Sequence, residues 1–334
     1  MDGSDDTGCR IDFHAHVVVE LPNFAERFGD LRWPTFSTAD GTGRLSRNGQ
    51  VVRTMSSSAW STARRLDDMD GTGLDRQVLS PVPPLICDWG DARQATEWAD
   101  QLNAGIAQVV ADHPGRFSGL GAVPLHYPDK AVDVLQRARD AGLSGVEIGT
   151  TAGDRELDHA DLQEFFDAAE QLDMIVFVHP LILETGAGWS QRITGLANSF
   201  GLGMTTDTAI AASRLVFGGH VVRCPQLRIC LAHGGGTFFW ALSRIARLWD
   251  QGDGPRSSDL TRNVFVDSVV YDQANLRYLC DRIGSDRILF GTDYPLPAQD
   301  DLGGSILADL PAADAAKIAG LNAAALLGVP TTSH

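Results

Sequence analysis

Eight short apolar or β-branched runs, separated by segments of helical periodicity, constrain the fold of this 334-residue chain more than any other feature. In the intervening segments, for example 94–112 and 237–250, apolar residues recur at helical spacing. Such regular alternation predicts a parallel sheet closed as an α/β, (β/α)8 TIM-like barrel, with a doubly wound open sheet as the alternative. The predicted strands are Arg10–His14, Arg76–Pro81, Phe117–Val123, Gly145–Gly149, Ile175–His179, Leu227–His233, Asn263–Ser268 and Arg287–Thr292.

The whole chain, 1–334, is predicted to form a single barrel domain, because no linker, repeat or low-complexity tract divides it. The segment 17–63 is rich in Ser, Thr, Gly and Arg, and it is too long to be an ordinary loop of a compact domain. We therefore expect it to be an insertion after the first strand that covers the active site. A second long connection, 180–226, follows the fifth predicted strand.

The composition excludes several classes of partner. The chain has 27 Lys and Arg against 43 Asp and Glu, a formal net charge of -16, whereas nucleic-acid binding needs a basic surface. The sequence contains no run of about 18 apolar residues that could span a membrane. Its acidic N-terminus does not resemble a signal peptide. Five cysteines without a CxxC pair argue against disulfides and a cysteine zinc site. We expect a soluble cytoplasmic protein with no nucleic-acid or membrane partner.

Polar residues end several of the predicted strands, which is where a barrel places its active site. His14 and His16 end the first strand, and residues two apart on a strand face the same side, so both imidazoles can bind one ion. His179, His233 and Asp293 end the fifth, sixth and eighth strands. Nitrogen and carboxylate ligands suit zinc, manganese or iron(II), and these donor types do not choose among the three.

The scarcity of lysine helps to predict how many metal ions the site holds. The only lysines are Lys130 and Lys317, and neither ends a predicted strand. Two-metal barrels of this general type often use a carboxylated lysine there as a bridging ligand, but the fourth strand ends at Glu147, Ile148 and Gly149. We therefore expect one metal ion rather than two.

Several sequence stretches resemble the amidohydrolase superfamily, specifically its branch of metal-dependent, non-oxidative decarboxylases that includes α-amino-β-carboxymuconate-ε-semialdehyde decarboxylase. The resemblance covers about residues 10 to 325. It is carried, in this order, by "RIDFHAH", "RLDDMDGTGLDRQVLSPVP", "GRFSGLGAVPL", "VFVHP", "LRICLAHGGGTFFWALSRIARLW", "NVFVDSVVYD" and "DRILFGTDYPLP".

The resemblance implies a ligand set and a proton-transfer residue. His14, His16, His179 and Asp293 correspond to the ligands of one divalent metal ion, which we expect to be zinc, with manganese or iron as alternatives. His233 corresponds to the residue that transfers the proton. Asp293 is a second candidate for that catalytic role, because its carboxylate can be shared between the metal and proton transfer.

The resemblance also implies that two arginines bind the substrate carboxylate. Arg53 is the best match for the first. Arg244, eleven residues beyond His233, matches the second, which reaches in from the neighbouring subunit of a homodimer. A guanidinium group can pair with a carboxylate through two hydrogen bonds and stays charged at any working pH.

Together these features predict a metal-dependent carboxy-lyase acting on a small unsaturated or aromatic carboxylic acid, of the aminocarboxymuconate-semialdehyde or hydroxybenzoate type. One alternative is a metal-dependent hydrolase or hydratase that uses metal-bound water on a small lactone, amide or unsaturated acid. Another is a barrel that only binds or stores metal, but such a protein needs no proton-transfer histidine. Leu181 and Leu296 stand where the semialdehyde decarboxylases have aromatic residues, so the exact substrate stays open.

Overall fold

The computed structural model describes residues 8–87, 89–181 and 193–331. At its centre, eight parallel strands form a nearly closed barrel with helices, as the sequence predicts. Each strand pairs with the next one in chain order. The barrel strands are β1 (Ile11–Val17), β5 (Arg76–Pro81), β6 (Phe117–Ala122), β7 (Gly145–Ile148), β10 (Ile175–Val178), β11 (Ile229–Leu231), β12 (Val264–Asp267) and β13 (Ile288–Leu289).

Backbone hydrogen bonds join β1 to the segment that follows β13. Phe13 N donates to Phe290 O at 2.7 Å, and His16 N donates to Tyr294 O at 2.6 Å. In the opposite direction, Asp293 N donates to His14 O at 2.9 Å. These bonds hold the carboxyl end of the first strand against Asp293, and so bring residues from the two ends of the chain together.

Amphipathic helices follow most of the barrel strands and bury their apolar faces in the main core. The longest, α3, begins with a capping box formed by Asp91 and Gln94, which satisfies backbone donors at its first turn. The helices are α1 (Phe24–Phe28), α2 (Thr62–Thr72), α3 (Ala92–Asp112), α4 (Pro128–Asp140), α5 (Gln163–Gln171), α6 (Leu196–Asn198), α7 (Met204–Phe217), α8 (His220–Arg223), α9 (Phe238–Trp249), α10 (Ser257–Leu260), α11 (Gln273–Ile283), α12 (Ala312–Ala316) and α13 (Asn322–Leu327).

The segment 17–63 contains an antiparallel sheet of three strands, β2 (Thr35–Ala39), β3 (Thr42–Arg47) and β4 (Gln50–Ser56). The two connections are Asp40-Gly41 and Asn48-Gly49, and all four residues have positive φ. Asp-Gly and Asn-Gly are the preferred dipeptides of two-residue hairpin turns, which require that conformation. The sequence analysis predicted no strands here, so this sheet is an addition to the expected fold.

Other features lie outside the barrel strands. Two-residue strands β8 (Thr151–Ala152) and β9 (Arg155–Glu156) pair after β7. The described part of the long connection 180–226 carries α6, α7 and α8. No helix among the described residues is both long enough and apolar enough to span a membrane.

Candidate metal centre

Three buried histidines, His14, His16 and His179, are oriented by oxygen atoms at their Nδ1 positions. The contacts are His14 Nδ1 to Asp267 Oδ2 at 2.6 Å, His16 Nδ1 to Pro81 O at 3.1 Å and His179 Nδ1 to Pro180 O at 2.9 Å. An imidazole whose Nδ1–H donates to oxygen keeps the lone pair of Nε2 free for a metal ion. All three rings are therefore held in the tautomer that a metal ligand needs.

Asp293 meets these histidines at distances that fit a shared ion. His14 Nε2 and His16 Nε2 are 3.0 Å apart, and Asp293 Oδ1 lies 3.4 Å and 3.1 Å from them. Ligands at tetrahedral positions around zinc are about 3.3 Å apart, given metal–ligand distances near 2.0 Å. Neither Asp293 Oδ1 nor His179 Nε2, both buried, has a hydrogen-bond partner in the described parts of the chain. A cation at this point would satisfy both atoms.

His233 completes the cluster. Its ring centroid lies 4.9 Å from that of His179 and 5.5 Å from that of His14, and neither of its ring nitrogens has a hydrogen-bond partner within 8–87, 89–181 and 193–331. His14, His179, His233 and Asp293 can each offer one ligand atom within 4.8 Å of the others. The structure thus brings all the predicted ligands and the predicted proton-transfer residue into one buried cluster.

Two of these residues have unusual backbone conformations. His233 has φ 57° and Asp293 has φ 62°, in the left-handed region that residues other than glycine seldom adopt. Such conformations concentrate at functional sites, where the surrounding structure holds them in place. After His233, the glycines continue the turn with positive φ, and an added Cβ on Gly236 would lie 2.0 Å from Thr205 O. The "HGGG" stretch therefore needs glycine for its tight turn.

Asp267, at the end of β12, is a site residue that the sequence analysis missed. Besides the Nδ1 of His14, its carboxylate accepts hydrogen bonds from the backbone N–H groups of His233, Gly234 and Val269. It thereby links a candidate ligand to the turn that carries His233. A charged residue inside the apolar stretch "VFVDSVV" was the available signal, because a buried charge needs partners.

Glu147, at the end of β7, is a second residue to which the sequence analysis gave no role. It is fully buried, with Oε2 3.8 Å from His16 Nδ1 and Oε1 3.9 Å from His179 Nδ1. Burial raises the pKa of this carboxyl to about 8. Its position within "GVEIG", again a charge in an apolar strand, was the sequence signal.

The acid and the histidines of the cluster differ in their pKa values and therefore in their charge. Burial opposes ionisation of Asp293, but contact with His16 and the charge of His14 lower its pKa to about 2. Burial disfavours the charge on His14 too, yet the hydrogen bond and charge of Asp267 raise its pKa to about 9. Burial lowers the pKa of His179 and of His233. Asp293 is therefore ionised and His179 neutral, as ligands must be, and a bound cation would displace a proton from His14.

Two cavities of about 410 Å³ each adjoin the cluster. Arg53 lines the first together with His179, Asp293, Leu181 and Leu296, and its buried Nε has no hydrogen-bond partner among the residues described. A guanidinium group with an unused buried donor, at a cavity that candidate metal ligands also line, can bind a carboxylate there.

The second cavity lies on the side of His233, between aromatic residues that include Phe200, Trp240, Tyr271 and Tyr278. Arg244 lines neither cavity. It is exposed on α9, four residues from Trp240 and from Leu248, which are 77% and 75% exposed. Within its own chain, Arg244 is therefore not part of the site.

Comparisons with known proteins agree with this geometry. Residues 11–329 match the amidohydrolase family. The 2-amino-3-carboxymuconate-6-semialdehyde decarboxylase of Dictyostelium discoideum is 30% identical over 310 residues, which are 89% of this chain and 85% of that protein. The gamma-resorcylate decarboxylase of a Rhizobium species is 31% identical over 254 residues, 69% of this chain and 76% of that protein.

A solved structure shares the fold. Dihydroxybenzoic acid decarboxylase from a Polaromonas species, with bound manganese and the inhibitor 2-nitroresorcinol, superposes with a TM-score of 0.74 at 22% identity. The superposition covers 96% of this chain and 97% of that one.

Proposed function

The chain belongs to the amidohydrolase family, and from this premise we propose that it is a metal-dependent, non-oxidative decarboxylase of a small aromatic or unsaturated carboxylic acid. The relatives that cover most of its length carry that activity in their names. The buried cluster of histidines and aspartate fits a divalent metal ion.

The position of His233 carries the proposal. Neither nitrogen of this buried imidazole has a hydrogen-bond partner among the described residues, and the ring stands beside the metal cluster at the wall of a cavity. A protein that only stores metal does not need such a group, but decarboxylation does, because a proton must replace the departing carboxyl group.

Each residue of the site has a role in this reaction. His14, His16, His179 and Asp293 would hold the ion, which when bound supplies a Lewis acid for a substrate oxygen. Arg53, which lines the first cavity together with His179 and Asp293, would bind the carboxylate of the substrate. When the bond to the carboxyl carbon breaks, its electron pair stays on the ring or diene carbon and CO2 leaves. His233 gives its proton to that carbon.

The charges favour His233 over Asp293 as the acid. Asp293 has a pKa of about 2 and stays ionised, whereas an acid must carry a proton. Burial lowers the pKa of His233, and the charges of Asp267 and Asp293 oppose that decrease. The neighbouring acids thus favour the protonated form of His233, whereas the neighbouring histidines favour the ionised form of Asp293.

For the ion we propose zinc, with manganese or iron(II) as alternatives. Three imidazoles and one carboxylate form a nitrogen-rich set of the kind that zinc prefers. Manganese is the ion bound in the Polaromonas enzyme, so reconstitution must compare these metals directly.

We also propose a homodimer in which Arg244 of each subunit reaches the site of the other. Trp240, Arg244 and Leu248 are four residues apart and so share one face of α9. Two large apolar side chains on an exposed face are typical of a surface that a protein partner covers, and Trp240 borders the cavity beside His233. A partner subunit on this face would bring its own Arg244 near that cavity.

The remaining proposals concern organisation and location. We propose that residues 1–334 act as one domain and that 17–63 covers the site, since Arg53 on β4 lines the first cavity. We propose a cytoplasmic location, with support from five cysteines that form no disulfide.

The test is CO2 release from a panel of carboxylated phenols and muconate semialdehydes, with purified enzyme in metal-free form and after reconstitution with zinc, manganese or iron(II). We expect release only from reconstituted enzyme. The His233→Asn variant should keep its metal and lose a factor of about 10²–10⁴ in kcat. Exposed His159, changed to Asn, is the matched control and should behave as wild type.

Two results would contradict the proposal. Metal-dependent products that gain water without loss of CO2 would identify the hydrolase or hydratase instead. Full activity of His233→Asn would assign the proton to another residue.

A further inference from the structure

Glu147 is a fully buried acid for which the proposed mechanism has no use. The hydroxyl of Ser80 is near enough to Glu147 to lower its pKa, but neither carboxylate oxygen makes a close hydrogen bond in the part of the chain that the structure describes, and no Arg or Lys there forms an ion pair with it. A buried polar group without hydrogen bonds costs free energy. We therefore expect a carboxylate at this position to have a function that offsets this free-energy cost.

The two oxygens of Glu147 face the same atom type on two different histidines. Oε2 lies 3.8 Å from Nδ1 of His16, and Oε1 lies 3.9 Å from Nδ1 of His179. The sheet register produces this arrangement, because Glu147 on β7 pairs with Phe177 on β10, two residues before His179. The two imidazoles stand at 90° with centroids 5.1 Å apart, and one carboxylate thus serves both.

Glu147 differs from a ligand in its position. Nδ1 and Nε2 of an imidazole bond in divergent directions, and Nε2 of His16 faces His14 and Asp293. Glu147 is therefore behind the rings, as Asp267 is behind His14. With both acids, each of the three candidate ligand histidines has a carboxylate on its Nδ1 side.

We propose that Glu147 is a positioning residue shared by His16 and His179, which strengthens the binding of a divalent cation by both. A bound cation favours the ionised form of Glu147, and the negative charge of that form polarises the two Nδ1–H groups and so makes each Nε2 a better electron donor. It also attracts the cation through a protein interior in which charges are weakly screened. This inference rests on the proposed metal centre and is independent of the reaction catalysed there.

The test measures metal affinity rather than activity. Metal-free wild type, Glu147→Gln and Glu147→Asp are titrated with Zn²⁺ and with Mn²⁺ against a fluorescent chelator. The amide keeps the shape of the side chain and removes its charge, so we expect Glu147→Gln to bind about 10–100-fold more weakly. Glu147→Asp should lie between the two. Asp207→Asn, which removes a half-buried carboxylate that accepts a hydrogen bond from Thr150, is the control and should match wild type.

Stability separates this role from a structural one. An unpartnered buried acid contributes no contact that the fold needs, so the Tm of metal-free Glu147→Gln should equal or exceed that of wild type. If the amide does not fold, Glu147→Met, which has a similar length and no charge, replaces it with the same expectations.

The affinity measurements distinguish failure of the role of Glu147 from failure of the metal centre. Wild-type affinity in Glu147→Gln, or equal weakening in the folded Gln and Asp variants, overturns the role of the charge. Failure of wild type itself to bind one ion overturns the proposed metal centre and the function built on it.

Discussion

Replacing Asp267 with Asn perturbs the metal centre while leaving every candidate ligand in place. Oδ2 accepts hydrogen bonds from His14 Nδ1 at 2.6 Å and His233 N at 2.9 Å, and Oδ1 accepts from Gly234 N at 2.9 Å and Val269 N at 3.0 Å. Asparagine has the same shape but only one oxygen. Its NH2 group must therefore face two of these four donors in either orientation.

The cost follows from that count. Each buried donor that loses its acceptor costs about 1–3 kcal/mol, so two such donors should lower the free energy of unfolding by about 2–6 kcal/mol. If the NH2 group faces His14 Nδ1 and His233 N, both donors lose their acceptor. A shift of the His14 proton from Nδ1 to Nε2 relieves one of them but weakens metal binding, because Nε2 must then give up that proton. If it faces Gly234 and Val269, the turn that holds His233 loses its anchor. In both orientations we expect metal affinity or activity to fall about 10–100-fold.

Urea unfolding of metal-free Asp267→Asn, followed by chelator titration of the folded protein, measures both effects. Asp207→Asn serves as the control, because among the described residues that carboxylate accepts a side-chain hydrogen bond from Thr150 and none from a histidine. Wild-type stability together with wild-type metal affinity in Asp267→Asn would refute the argument that this carboxylate orients His14 and anchors the turn.

Two further predictions concern the arginines. Arg53→Ala should raise KM for a carboxylate substrate about 10–150-fold, because it removes a charge-assisted hydrogen bond or a pair of them. Arg44→Ala, on the neighbouring strand, is the control and should leave KM unchanged. A wild-type KM of Arg53→Ala in steady-state kinetics would contradict the prediction. Arg244→Ala and His233→Asn should each be inactive alone, yet an equal mixture of dissociated and reassociated subunits should regain about a quarter of wild-type activity, because half the dimers are mixed and each holds one intact site. No regain in a mixture proven to contain mixed dimers would place Arg244 outside the neighbouring site.

The barrel was predictable because its strands combine apolar composition with regular spacing. All eight predicted strands are present, and errors are confined to their ends. The sixth was predicted over Leu227–His233 and observed over Ile229–Leu231. His233 leaves the ladder because its φ of 57° is incompatible with an extended strand, and composition alone does not reveal such a change.

The sheet within 17–63 was missed for a different reason. Its strands are largely polar and exposed, so the apolar pattern that locates barrel strands is absent. The information was in the turns, since Asp40-Gly41 and Asn48-Gly49 are both strong hairpin dipeptides. These two dipeptides predict β-hairpins in a segment that hydrophobic periodicity alone indicates to be irregular.

The predicted ligands cluster as expected, but the acids behind them could not be assigned from the sequence. A ligand histidine can be predicted from its place at a strand end, because every such end points toward the site. Glu147 and Asp267 also occupy strand ends. They differ from the ligands because they face the Nδ1 atoms of the histidines. This orientation depends on the register of the neighbouring strands.

The proposed charges of these acids also give arginine a role at this site. If Asp267, Glu147 and Asp293 are all ionised around neutral histidines, one divalent cation leaves the centre with one net negative charge, which repels a carboxylate. Arg53 reduces this charge to zero, and a second arginine makes the site positive. In a chain with a net charge of -16, the proposed site would hold the cation on the barrel strands and take its attraction for an anionic substrate from arginines outside them. In the proposed homodimer, Arg244 of the second subunit would supply the positive charge that Arg53 alone does not provide.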